Sequence, residues 1–121
     1  MCKVTEMKVG NHIVKVADIK TKYMQNIADA AADCDYIDKI ILFGSVISNT
    51  CKESSDIDLA VFGTKSKGKT LTSAGYRRFL DRLSSFGDFN QTYDVLYFKI
   101  GANNHSLIMS DIEKGEVLYA K

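Results

Sequence analysis

The stretch from Lys39 to Phe62, KIILFGSVISNTCKESSDIDLAVF, restricts the possible folds more than any other part of the chain. A short apolar run, Ile40 to Phe43, stops at Gly44-Ser45; ten residues then intervene before Asp56-Ile57-Asp58 opens a second apolar run, Leu59 to Phe62. Runs of this length bounded by turn residues predict strand, turn, strand. Residues two apart on a strand share a face. Asp56 and Asp58 are therefore expected to converge, while Ile57 and Leu59 turn into a core. Side-by-side carboxylates repel each other, and a fold tolerates them chiefly when a cation lies between. Hard oxygen ligands favour magnesium or manganese. Upstream, a glycine ending a buried strand lets a ligand come close to the backbone. Ser45 adds a hydroxyl at the start of a short helix, expected over Val46 to Ser48, where phosphate is readily held.

The rest of the chain supplies elements to pack around this pair. Residues 5 to 16 read as two short strands about Gly10-Asn11, a dipeptide suited to a two-residue hairpin turn. This hairpin is expected to cover a sheet edge in preference to forming a homodimer contact, and His12 within it reads as a surface residue. From Asp18 to about Asp35, Met24, Ile27, Ala28, Ala31 and Cys34 recur at helical spacing, with Asp18 as N-cap and Cys34 as a small buried hydrophobe. Leu71 to Phe86 predicts an amphipathic helix that turns Tyr76, Phe79, Leu80, Leu83 and Phe86 into the core and ends at Gly87. Thr92 to Ile100 is rich in β-formers and reads as a central strand, in which Asp94 is the one acidic residue. Asn104 is expected to cap a last helix closed by Gly115, with Glu116 to Ala120 as a final strand and His105 too isolated to be a ligand.

Gly63 to Thr70, GTKSKGKT, matches the phosphate-binding pattern GxxxxGKT between a predicted strand and a predicted helix. A fold built on that loop needs several parallel strands after it and an apolar run ending in Asp for the magnesium water. Asp94 instead follows Gln91-Thr92-Tyr93. The segment reads as a basic loop, with Lys65, Lys67 and Lys69 as solvated charges.

With 121 residues the chain suits one domain. Sixteen basic against fifteen acidic residues leave a net charge of +1, which gives no global electrostatic reason to expect a nucleic-acid partner. The three cysteines, Cys2, Cys34 and Cys51, form no CxxC pair and suggest neither a zinc site nor a disulfide framework. A reducing cytoplasm fits that usage. No apolar run approaches membrane-spanning length and no signal-peptide core opens the chain, so neither membrane insertion nor export is expected.

Taken together, Gly44-Ser45, the ten-residue spacing and Asp56-Ile57-Asp58 resemble the signature of the polymerase-β-type nucleotidyltransferase superfamily, in which a Gly-Ser turn precedes an Asp-x-Asp strand. The resemblance is greatest to its single-domain members, the minimal nucleotidyltransferases. That family has a third carboxylate on a later strand, which Asp94 in TYDVLYF fits, and IEKGEVLY, Ile112 to Tyr119, is similar to its closing helix and strand. The likeness covers roughly residues 20 to 120, and the combined motif is far more specific than its parts.

The resemblance implies an α/β (α+β) fold: a single domain, residues 18–121, whose mixed sheet carries helices on one face and carboxylates on the other; the hairpin, residues 1–17, is an N-terminal extension that the family core does not require. It implies a metal-dependent enzyme that moves a nucleoside monophosphate, AMP from ATP, onto an acceptor hydroxyl. Asp56, Asp58 and Asp94 would be the catalytic and metal-binding residues, holding two magnesium ions (or manganese) about 4 Å apart. Gly44 and Ser45 would hold the nucleoside triphosphate. Many relatives place one or two arginines in the turn and then a glycine, where this chain has Val46-Ile47-Ser48-Asn49. Lys52, from the following loop, is the candidate replacement for that phosphate contact. One domain leaves the acceptor to a partner chain, and relatives in bacterial toxin–antitoxin pairs add AMP to a small helical HEPN-type protein. The competing expectation is a non-catalytic module that keeps the fold and docks a partner.

Overall fold

In the computed structural model, which describes residues 3–87, 90–102 and 108–121, the chain opens as a hairpin. β1 (Val4–Val9) and β2 (His12–Ala17) pair antiparallel with Val9 opposite His12. Gly10 makes the turn at φ 59°, where a side chain would be strained. A separate four-stranded sheet has the order β5-β4-β3-β6, formed by β3 (Lys39–Phe43), β4 (Ile57–Gly63), β5 (Tyr93–Lys99) and β6 (Glu116–Ala120). β3 is antiparallel to β4 and β6, whereas β4 and β5 are parallel, so the sheet is mixed. The helices are α1 (Thr21–Ala32), α2 (Lys67–Leu71), α3 (Ala74–Ser85) and α4 (Ile108–Glu113).

Strand alternation sorts the apolar residues onto two faces. Ile40, Leu42, Ile57, Leu59 and Val61 share one cluster with Met24, Ile27 and Ala31 of α1 and Phe79 and Leu83 of α3. Each large side chain buried this way contributes about 2 kcal/mol. Val9, Val14 and Val16 join the same cluster from the hairpin, and the Lys15 amide donates to Glu116 Oε1 at 2.8 Å. The hairpin therefore lies against the β6 edge, the covering placement expected for it. Residues of the opposite phase, Ile41, Phe43 and Ala60, form a smaller cluster with Ile112. Helices on one face and carboxylates on the other thus describes α1 and α3, while the short α4 packs on the carboxylate face.

Several local expectations change. β5 lies at an edge of the sheet rather than in its centre, pairing within the described residues with β4. Asp18 does not cap α1. It starts a 3-10 turn, Asp18–Lys20, and its Oδ1 accepts from the Lys3 amide, while no side chain caps α1. The helix expected from Leu71 begins instead at Ala74, because the Ser73 hydroxyl caps it by accepting from the Tyr76 amide. Residues 67–70 of the expected basic loop lie in the short helix α2, with Ser66 as N-cap. Cys34 and Cys51 are buried and neither is in a disulfide. Cys2, Asn104 and His105 lie outside the described residues. Among the described residues no helix is long and apolar enough to cross a membrane.

Candidate metal and nucleotide site

At the end of β3 the chain turns at Gly44, φ 78°, into a 3-10 turn, Gly44–Ile47. Antiparallel pairing sets Phe43 opposite Asp58, so the turn passes beside the Asp58 carboxylate. A Cβ on residue 44 would collide with Asp58 Oδ2 and stand 3.3 Å from its carboxyl carbon. Glycine is required twice here, once by the left-handed backbone and once by the carboxylate that fills the space of a side chain. Ser45 follows, half-buried.

Parallel pairing of β4 with β5 places Asp94 directly beside Asp58 on the same face. Asp58 is half-buried, while Asp56 and Asp94 are exposed. Burial, then the charge of Asp94, then that of Asp56, push the Asp58 carboxyl above the ordinary carboxylate range. The cross-strand neighbour thus presses on Asp58 harder than the sequence neighbour does. Asp56 stands just ahead of β4, and its Oδ1 accepts from the Thr92 hydroxyl, which ties it to the entrance of β5.

The backbone therefore gathers all three carboxylates at one corner of the sheet. Among the described residues, however, no group of three or more His, Cys, Asp or Glu side chains is drawn together closely enough to cage a metal ion. The donors still fit magnesium. Magnesium keeps several waters and is usually held by one or two carboxylates plus substrate phosphates, without an all-protein cage. Asp58, crowded by two like charges above a glycine, is the oxygen donor a cation would relieve most.

The turn positions where relatives carry arginine have a different use here. Val46 is fully buried in the larger cluster and Ile47 packs against it. Lys52 is exposed in the loop between the turn and β4, where its amide donates to Ser55 Oγ at 2.9 Å. The GxxxxGKT match has no phosphate-binding geometry. Gly63 lacks a side chain because the Tyr36 carbonyl and Tyr97 hydroxyl occupy that space, and the Thr70 hydroxyl is buried against the Ser66 carbonyl at 2.9 Å. That segment leaves the far end of β4, about 20 Å from the carboxylates at a strand rise of about 3.3 Å per residue. Sequence reasoning passed over Thr92, Gln91 and Lys20. Gln91 reads only as a polar residue ahead of a strand, Thr92 as the first β-former of that strand, and Lys20 falls within the first predicted helix as a polar position with no assigned role.

Comparison with protein families matches the model described as Polymerase beta, Nucleotidyltransferase to residues 25–121. No curated protein matches the chain.

Proposed function

The chain belongs to the polymerase-β nucleotidyltransferase family, and from that premise we propose that it transfers AMP from ATP to a hydroxyl of an acceptor. The observation that carries the reading is the parallel register of Asp58 with Asp94 beside the side-chain-free turn at Gly44. Magnesium held by Asp56, Asp58 and Asp94 would supply charge stabilisation at the phosphoryl oxygens and a more acidic acceptor hydroxyl. The Gly44 backbone and Ser45 hydroxyl grip the triphosphate, with Lys52 as the cationic contact. Thr92 engages one oxygen of Asp56 and so fixes where the other points. The acceptor oxygen bonds to the α-phosphorus, the bond from that phosphorus to the bridging oxygen of the β-phosphate breaks, and pyrophosphate leaves. The hydroxyl proton passes to Asp94.

The acceptor in this proposal is a small helical HEPN-type protein, in the manner of toxin–antitoxin pairs, rather than a small molecule. The experiment has two stages. Calorimetric titration of ATP, GTP, CTP and UTP with magnesium into wild type and into Asp56→Asn/Asp58→Asn should give metal-dependent binding that the double substitution abolishes. Isotope-labelled ATP should then label a helical protein recovered with the chain from its host. Binding that survives the double substitution would overturn the site, and turnover of a small-molecule acceptor with no labelled protein would overturn the partner.

One observation favours a second reading, a non-catalytic module that docks a partner: Val46 and Ile47 serve packing where relatives present arginine. Partner binding and cellular effect that persist in Asp56→Asn/Asp58→Asn would select it.

A further inference from the structure

Lys20 ends the 3-10 turn between β2 and α1, and only 1% of its surface is exposed. Burying an ammonium costs several kcal/mol unless its protons are well bonded. All three are used. Lys20 Nζ donates to the Glu53 carbonyl at 2.9 Å, to the Ser55 carbonyl at 3.0 Å and to Gln91 Oε1 at 2.5 Å. Gln91, itself buried, returns its amide hydrogens to the Ser55 carbonyl at 3.0 Å and the Thr92 carbonyl at 2.7 Å.

The partners belong to two segments. Glu53 and Ser55 lie in the loop that delivers Asp56 and Asp58, while Gln91 and Thr92 lie in the segment that delivers Asp94. The Ile57 amide donates to the Thr92 carbonyl at 3.1 Å, and the Thr92 hydroxyl donates to Asp56 Oδ1. Lys20 therefore sits at the centre of a closed set of bonds one to three residues ahead of Asp56 and Asp94 in the chain. Burial pulls the Lys20 ammonium below the usual lysine range, against the opposing charges of Cys51, Glu53 and Asp56.

We infer that Lys20 is a positioning residue of the carboxylate site. Its ammonium, acting with Gln91, clamps the entrance of β4 to the entrance of β5 and so sets the separation at which Asp56 and Asp58 face Asp94. This inference rests on the nucleotidyl-transfer reading for its ligand, magnesium-ATP, but its mechanical part stands apart from that reading.

The test compares wild type, Lys20→Met, Gln91→Met and the double variant by calorimetry with magnesium-ATP, and by amide hydrogen exchange without it. Loss of groups that orient metal ligands typically weakens metal affinity by about tenfold or more. Each single variant should therefore weaken magnesium-dependent ATP binding by about tenfold or more, and exchange at the Ile57 amide should quicken while β3 stays protected. Because both residues act through one clamp, the double variant should bind no more weakly than the weaker single. Undiminished ATP binding in a folded Lys20→Met protein, or losses that add in the double variant, would overturn the inference. Should Lys20→Met fail to fold, Gln91→Met carries the same comparison. If wild type itself binds no nucleotide, the transfer reading falls while the clamp is judged by exchange alone. In that case faster exchange at Ile57 sustains it and unchanged exchange overturns it.

Discussion

Replacing Gly44 with alanine separates two effects that the structure superimposes at one residue. The first is backbone strain. An L-residue forced into the left-handed region loses about 1–2 kcal/mol, and Gly44 sits at φ 78°. The second is displacement. The new methyl group falls on Asp58 Oδ2 and 3.3 Å from its carboxyl carbon, so the carboxylate must leave its rotamer. Such a departure adds about 1 kcal/mol.

Gly10 provides the control. It has φ 59° and open space where a Cβ would go. Gly10→Ala should thus pay the strain alone, about 1–2 kcal/mol. Gly44→Ala should lose about 2–3 kcal/mol, and a domain of this size changes its melting temperature by about 4 °C per kcal/mol. Thermal melting without metal is the first assay, with expected falls of about 4–8 °C for Gly10→Ala and about 8–12 °C for Gly44→Ala. Titration of magnesium-ATP is the second, and there only Gly44→Ala should lose affinity. Equal melting losses combined with unchanged ATP binding in Gly44→Ala would refute the claim that the turn exists to make room for the carboxylate.

Asp58→Asn should raise the melting temperature without metal at neutral pH, because burial and the charges of Asp94 and Asp56 hold its folded-state pKa above the unfolded value. The unfolded chain then ionises first, so wild-type stability falls as pH rises from the ordinary carboxylate pKa through the raised one; the advantage of the variant should vanish in acid, and an advantage that persists there would contradict the cause given. Lys65→Ala/Lys67→Ala/Lys69→Ala should leave magnesium-ATP affinity unchanged, since these residues follow the opposite end of β4, and a severalfold loss by calorimetry would place them at the site after all. Tyr93→Phe should be neutral or stabilising by about 1 kcal/mol in a denaturant melt, because its buried hydroxyl has no partner among the described residues; a loss of similar size would reveal one.

The strand–turn–strand core was legible in the sequence because its signals are local. An apolar run, a glycine and an Asp-x-Asp spacing fix the period of the strand and the direction of its side chains without knowledge of any other element. The hairpin at Gly10-Asn11 was legible for the same reason. Sheet order was not, since the β-former content of Thr92 to Ile100 is the same whether the strand is central or at an edge, and β5 lies at the edge. The start of α3 was missed because hydrophobic spacing alone does not fix a helix end, whereas the Ser73 hydroxyl does. Lys20 was illegible for a stronger reason. Its acceptors are two backbone carbonyls, which no sequence displays, and a glutamine 71 residues away.

These features give the two ends of the β4–β5 pair opposite characters. At the far end Phe62 and Phe98 occupy matched positions and stack at 5.4 Å, an attractive cross-strand pair. At the near end the matched positions hold Asp58 and Asp94, which repel. A parallel pair at a sheet edge, with like charges at one end, would be expected to fray from that end. The Lys20–Gln91 bonds close it there, from behind the carboxylates and with none of their acceptors being a carboxylate oxygen. A lysine bonded directly to Asp58 would have neutralised the charge; one bonded to the carbonyls behind Asp56 fixes the strands and leaves the repulsion in place. The arrangement keeps the carboxylates of Asp58 and Asp94 side by side while the strands that carry them are tied together from behind.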